Sequence, residues 1–294
     1  MITPYEKYDA LARAIGLPND LYLKREDLHP LGSHKGRSLP YMIDRYLEQG
    51  FRHFAISSSG NAALASGLYI KELNKKRDDN NKIILEILLG KNISKDKLEK
   101  IEKIKDQNIL ISIQDRPLQA LFTKTEDKEI KGLRQSTDDN ALMGYSSLAE
   151  EILEIPNIKT VFIGTSSGTT AQALAEYFIK SNKDIKINIV QTSSCHPIAD
   201  AFGIDSIEKE ISLAGAIVDQ IAKRKDNLVK LISRVDGKGY VARNDTIKLA
   251  EKMLEDNAGI ITTANGALSL AGLIESIYTG NTYDGSVVCI VGGL

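Results

Sequence analysis

The chain has 294 residues, 42% hydrophobic and 26% charged, with 38 basic residues against 39 acidic ones. That length buries a substantial core in one large domain or two modest ones. The formal net charge of −1 excludes the broad basic footprint of a nucleic-acid or anionic-membrane binder, and no apolar run approaches the roughly 18 residues of a membrane span.

The first motif is a strand edge at residues 21–37, LYLKREDLHPLGSHKGR, which sets Lys35 among Gly32, Ser33, His34 and Arg37. Residues 51–59 then read as a strand running into a turn, and residues 61–76 as a helix. A strand at 82–90 is followed by a helix at 94–105, whose lysines interleave with acids as a solvated face does. Residues 108–115 form a strand and 116–125 begin a helix. The pattern is weak over roughly 125–145, the expected linker or crossing segment between two α/β lobes. Beyond it come a strand at 158–164, a helix at 169–181 and a strand at 184–193. Helices at 244–257 and 264–280 precede a last strand at 285–293. Apolar strands alternating with helices mean βαβ units and buried parallel sheet.

Cys195 and Cys289 form no C-x-x-C pair, and His29, His34, His53 and His196 show no ligand spacing. No metal site is expected from them. Low cysteine use and a start without an export pattern favour the reducing cytoplasm. Cys195 and His196 are adjacent, so in an extended segment their side chains point apart. Arg37 would face away from Lys35 on a helix, and Asp138 with Asp139 reads as a solvated turn.

Two loops at strand ends are dense in small and hydroxyl residues: Ser57 to Ala63, SSSGNAA, and Gly164 to Thr170, GTSSGTT. In open parallel sheets ligands bind at such places. Small residues let backbone N–H groups approach an oxyanion, and a helix N-terminus adds partial positive charge. One loop could hold a phosphate and the other a carboxylate. Neither is a P-loop or a G-x-G-x-x-G fingerprint, which disfavours a nicotinamide dehydrogenase.

A lone lysine after Gly-Ser-His is ordinarily a surface charge. Here it is followed in order by both hydroxyl loops and by the terminal strand VVCIVGG. Together these motifs resemble the fold type II pyridoxal-phosphate-dependent enzymes, above all threonine synthase, and also threonine and serine dehydratase, cysteine synthase and the tryptophan synthase β chain. The resemblance runs from about Pro4 to Leu294. It implies a two-lobed α/β fold of parallel sheets covered by helices. The larger, cofactor-binding lobe would comprise 1–36 and 145–294, and the smaller, mobile lobe 37–144.

On that resemblance Lys35 falls on the Schiff-base lysine, with His34 beside it among the cofactor-binding residues. Asn61 falls on the asparagine that contacts the cofactor's phenolic oxygen. Ser58, Ser59, Gly60 and Asn61 fall on the loop that clasps the substrate carboxylate. Gly164, Thr165, Ser166, Ser167, Gly168 and Thr169 fall on the phosphate cradle. The cofactor implied is pyridoxal 5′-phosphate, the substrate a small amino acid, and the assembly a homodimer in the cytoplasm. The chemistry implied is α-proton abstraction with β- or γ-elimination or replacement.

Some positions depart from the family. The serine or threonine that usually faces the pyridine nitrogen aligns with Val291, so the partner is expected to be water, Thr262 or Thr263. Relatives often carry an acid where Thr263 stands, Gly36 replaces an acid common in threonine synthases, and the chain is short for the family. A ring nitrogen left unprotonated is a weaker electron sink, which favours β-chemistry. The alternatives are a β-eliminating dehydratase or cysteine synthase-like enzyme, and a relative that binds cofactor without turnover.

Overall fold

The computed structural model describes residues 2–204, 207–208 and 210–293; Leu294, to which the family resemblance extends, lies outside them. By internal contacts the chain divides into two units, Met1–His29 with Tyr145–Leu294, and Pro30–Gly144.

The larger unit opens with β1 (Tyr5–Lys7), α1 (Asp9–Ala14) and β2 (Leu21–Arg25). The smaller unit follows with α2 (Lys35–Glu48), β3 (His53–Ser57), α3 (Asn61–Asn74), β4 (Ile84–Gly90) and α4 (Lys95–Glu102). It closes with β5 (Ile109–Gln114), α5 (Pro117–Lys124), β6 (Ile130–Gly132) and α6 (Asn140–Met143). The chain returns to the larger unit through α7 (Ser146–Leu153), β7 (Ile158–Gly164), α8 (Thr169–Lys180) and β8 (Lys186–Thr192). Then come α9 (Lys225–Arg234), β9 (Gly239–Ala242), α10 (Asn244–Ala258), α11 (Ala264–Tyr278) and β10 (Ser286–Val291).

The larger unit's sheet has the order β1-β2-β10-β7-β8-β9. All its pairings are parallel except β1 with β2. The smaller unit's sheet, β5-β4-β3-β6, is wholly parallel. Strands inside such sheets are covered on both faces and need continuous apolar side chains. β10 meets that demand, being buried along its whole length. The larger core gathers Leu21, Leu23, Phe162, Leu268, Val287 and Cys289. The smaller core gathers Leu39, Ile43, Phe54, Leu85, Ile87 and Ile109. Helix α11 lies so close to β8 that a Cβ at Gly272 would stand 2.1 Å from Val190 Cγ2; only glycine permits that approach.

Two expectations change. Residues 35–48 form helix α2, whose Leu39, Met42, Ile43 and Tyr46 are buried in the smaller unit. Residues 30–36 therefore belong to that unit and not to the larger one, because the helix they start packs there. The stretch at 125–145 is no bare linker: β6 within it pairs with β3, in register from His53↔Ile130 to Ala55↔Gly132. Both hydroxyl loops follow the carboxyl ends of strands, one after β3 and one after β7, where ligands of parallel sheets bind.

Candidate cofactor and active site

Lys35 opens α2. Gly32, at φ +84°, turns the chain, and a Cβ there would stand 3.0 Å from Leu64 Cδ2 of α3. The turn is closed by Gly36 N–H to the Ser33 carbonyl (2.9 Å) and Arg37 N–H to the His34 carbonyl (3.1 Å). Lys35 N–H donates to Ser33 Oγ at 3.2 Å. His34 is the residue before the helix, and both it and Lys35 are half-buried. Lys35 Nζ makes no hydrogen bond or ion pair among the described residues. The first turn of α2 contains no acidic residue, and its dipole disfavours a cation there. Lys24, on β2, is the contrast. It is fully buried, ion-paired with Glu151 and bonded to the Thr3 carbonyl. One lysine is committed; the other is free.

The Ser58–Asn61 loop carries the chain from β3 into α3, so Gly32 against Leu64 makes the Lys35 turn a neighbour of this helix start. Gly60 N–H donates to Ser58 Oγ (3.3 Å), and the Gly60 carbonyl accepts from Leu64 N–H (3.2 Å). Asn61, Ala62 and Ala63 are the first helical residues. Their N–H groups have no acceptor among the described residues. An anion is the natural partner of such groups.

The Gly164–Thr169 loop joins β7 to α8. Gly168 caps the helix at φ +84°, and a Cβ there would stand 2.5 Å from Leu228 Cδ2, so a side chain is both strained and obstructed. Thr165 braces the turn: its Oγ1 accepts Gly168 N–H at 3.0 Å, and its N–H donates to the Val190 carbonyl at 2.9 Å. Ser167 Oγ and Thr169 Oγ1 are bonded at 2.9 Å. The N–H groups of Ser166, Ser167, Thr170 and Ala171 have no acceptor among the described residues. This is a small-residue cradle with converging donors, and it fits a phosphate.

Three further residues of the larger unit are those the sequence set against the pyridine nitrogen. Val291, 1% exposed, ends β10 and can offer the ring nitrogen nothing. Thr263 caps α11 by accepting Gly266 N–H at 3.4 Å. Thr262 Oγ1 is buried with no partner among the described residues, an arrangement that proteins seldom leave unsatisfied. A Cβ at Gly266 would stand 2.1 Å from it. Within the larger unit, an orphaned hydroxyl and a loop of unpaired N–H groups suit the ring nitrogen and the phosphate of pyridoxal phosphate, and within the smaller unit a free amine suits its aldehyde.

Other candidates fall away on geometry. Cys195 is buried, and burial first, then the charge of Asp219, pushes its thiol up from its ordinary value, away from the nucleophilic thiolate. His196 Nδ1 is held by Asp200 at 2.5 Å. Asp138 is half-buried, accepting from the Tyr46 hydroxyl and from Asn140 N–H (3.0 Å). The sequence expectation did not single out the Leu213–Ala222 segment, whose Val218 and Asp219 N–H groups donate to Ser166 Oγ at 3.0 Å, because backbone N–H groups carry no residue-type signal.

Residues 2–293 match the family pattern described as pyridoxal-phosphate dependent enzyme. The chain is 26% identical to the biosynthetic L-threonine dehydratase of Haemophilus influenzae, covering 99% of this chain and 56% of that one. It is 27% identical to a threonine synthase of Methanosarcina acetivorans, covering 99% of this chain and 74% of that one. The chain thus spans about half the length of the first relative (56%) and three quarters (74%) of the second. Among solved structures, a pyridoxal 5′-phosphate-dependent aspartate racemase superposes with TM-score 0.83 at 16% identity, over 100% of this chain and 90% of that one. At that identity it speaks for the fold alone.

Proposed function

The chain belongs to the pyridoxal-phosphate dependent enzyme family, and from that premise we propose that it is a lyase or synthase acting on a small amino acid. The reaction removes the α-proton and then eliminates or replaces a group on the β or γ carbon. The observation that carries this reading is Lys35: a half-buried amine at a helix start, free of any partner among the described residues.

Pyridoxal 5′-phosphate, when bound, supplies an electron sink for chemistry at the amino-acid α-carbon. Lys35 Nζ would hold the cofactor covalently, and as a free amine it would take the substrate α-proton as general base. The N–H groups of Ser166, Ser167, Thr170 and Ala171 would hold the phosphate. The Ser58–Asn61 loop holds the substrate carboxylate on the N–H groups that open α3, and Asn61 orients the ring. Thr262 Oγ1, buried and unpaired among the described residues, would be the donor to the ring nitrogen in place of the side chain that Val291 lacks. A neutral hydroxyl partner would leave that nitrogen unprotonated, so β-chemistry of the dehydratase kind is expected to outrun γ-chemistry of the threonine synthase kind.

The reading is tested with amino acids bearing a leaving group on the β or the γ carbon, in the presence of pyridoxal phosphate. The expected outcome is release of the 2-oxo acid from β-substituted substrates, reduced roughly 10²–10⁴-fold in Lys35→Ala, the scale of removing an acid–base group. Faster γ-turnover would reverse the β assignment. Spectral binding of cofactor with no turnover on either series would leave a binding protein, the second reading that Val291 supports.

A further inference from the structure

Residues 203–224 connect the short turn ending at Phe202 with α9, and over this stretch the described residues contain neither helix nor strand. Loops of that length inside a compact unit are usually functional. Part of this one is tied down. Ala214 and Ile217 are buried in the larger core, whereas Val218 and Ile221 are 67% and 75% exposed. Ala214 and Ile217 anchor the segment in the core, and the outward-facing turn at Val218 and Asp219 is held by polar tethers.

The tethers run to the Gly164–Thr169 loop and to the starts of α10 and α11. Ser166 Oγ accepts Val218 N–H and Asp219 N–H, each at 3.0 Å. Asn265 Oδ1, in the first turn of α11, accepts Ala216 N–H at 3.0 Å. Asn244 Oδ1, at the start of α10, accepts Leu213 N–H at 2.9 Å. Ser166 is also held from behind, its carbonyl accepting from Gln191 Nε2 at 3.3 Å. Gln191 Oε1 in turn accepts Ile198 N–H (2.8 Å) and Ala199 N–H (3.0 Å).

A serine hydroxyl has two lone pairs and one proton. Both lone pairs of Ser166 are taken by the Val218 and Asp219 amides, which leaves the O–H a single direction to point. No acceptor for it is found among the described residues. The proton is therefore preset as a donor at the loop that offers the free N–H groups of Ser166, Ser167, Thr170 and Ala171. When an oxyanion accepts it, the bond is charge-assisted, and the polarised oxygen becomes a stronger acceptor for the two amides behind it.

We propose that Ser166 is a positioning residue that couples an oxyanion on the Gly164–Thr169 loop to the order of the Leu213–Ala222 segment. The proposal rests on the reading of that loop as the phosphate cradle. It assigns the Ser166 hydroxyl two tasks at once, donating to phosphate and holding the segment, where the family resemblance implied only the first.

The test is amide hydrogen exchange of the full chain, freed of cofactor, with and without inorganic phosphate. In the wild type, phosphate slows exchange both at 164–171 and at 213–222. In Ser166→Ala, the 213–222 amides exchange roughly thirtyfold faster than wild type, the scale of two neutral hydrogen bonds, and no longer respond to phosphate. Ser166→Thr, which keeps the hydroxyl, retains the response; a purely steric role would not be rescued in this way. Ser166→Cys, near in size with a weak acceptor, replaces the alanine variant if that one fails to fold, and is read by the same criteria. Protection at 164–171 without protection at 213–222, or equal protection of 213–222 in Ser166→Ala, overturns the coupling. No protection at 164–171 in the wild type removes the phosphate reading itself and the coupling with it.

Discussion

At the scale of single residues, the decisive facts are which polar groups are satisfied. Lys24 and Lys35 lie in one quoted motif, and nothing in their residue type separates them. Burial and partners do: Lys24 is locked to Glu151 and Thr3, whereas Lys35 has no partner among the described residues. The family pattern pointed to Lys35 because Ser33, His34 and the two later loops stand in order around it. Thr262 was legible only as one of three options, since choosing it over Thr263 requires knowing that Thr263 is spent on the α11 cap and that Thr262 Oγ1 is buried and unpaired. Removing the Thr262 hydroxyl with Thr262→Val should weaken pyridoxal phosphate about fivefold, the effect of one neutral hydrogen bond, and shift the bound cofactor's visible band. Thr263→Val should leave the band in place and cost helix stability of about 1 kcal/mol instead, as loss of a cap does. A Thr263→Val band shift with Thr262→Val silent would exchange their roles.

At the scale of elements, the strands were readable and some helices were not. Strands β7, β8 and β10 are continuous apolar runs bounded by turn residues, a pattern that buried parallel strands require. Helix α2 was hidden by Gly36 near its start and Pro40 within it, both poor helix residues. Its buried positions Leu39, Met42, Ile43 and Tyr46 nonetheless keep the i, i+3, i+4, i+7 spacing of a helix face. The three-residue β6 carries too few positions to show a period at all. The start of α10 is held by Glu210, whose carboxylate accepts Asn244 N–H (2.7 Å), Asn244 Nδ2–H (2.9 Å) and the Ser193 hydroxyl (2.9 Å). Those bonds, the Asn244 N–H foremost, lower its pKa from the ordinary 4.5. A carboxyl with a depressed folded-state pKa stabilises the fold at pH above its ordinary value and loses that contribution as pH falls through the folded value. Glu210→Gln should therefore lower Tm at neutral pH, with the gap to wild type narrowing once the pH drops below about 4.5. A gap independent of pH would mean that the carboxylate charge plays no part.

At the scale of the whole molecule, the division into two α/β units follows from alternating strands and helices, and the chain's return to the larger sheet through α7 and β7 was readable from the second series of βαβ units. The boundary was not. Composition changes little between His29 and Lys35, and what assigns residues 30–36 to the smaller unit is the packing of α2, visible only once that helix is known to exist. The candidate residues accordingly lie on separate stretches of chain: Lys35 and Ser58–Asn61 in the smaller unit, and Gly164–Thr169 and Thr262 in the larger. The account as a whole stands on one covalent attachment. Borohydride reduction of the protein loaded with pyridoxal phosphate, followed by peptide mapping, reads it directly. The reduced cofactor should be found on the peptide containing Lys35, in about one equivalent per chain, with Lys24 unmodified and no label at either lysine in Lys35→Ala. Label on Lys24, or spread evenly over surface lysines, would contradict it.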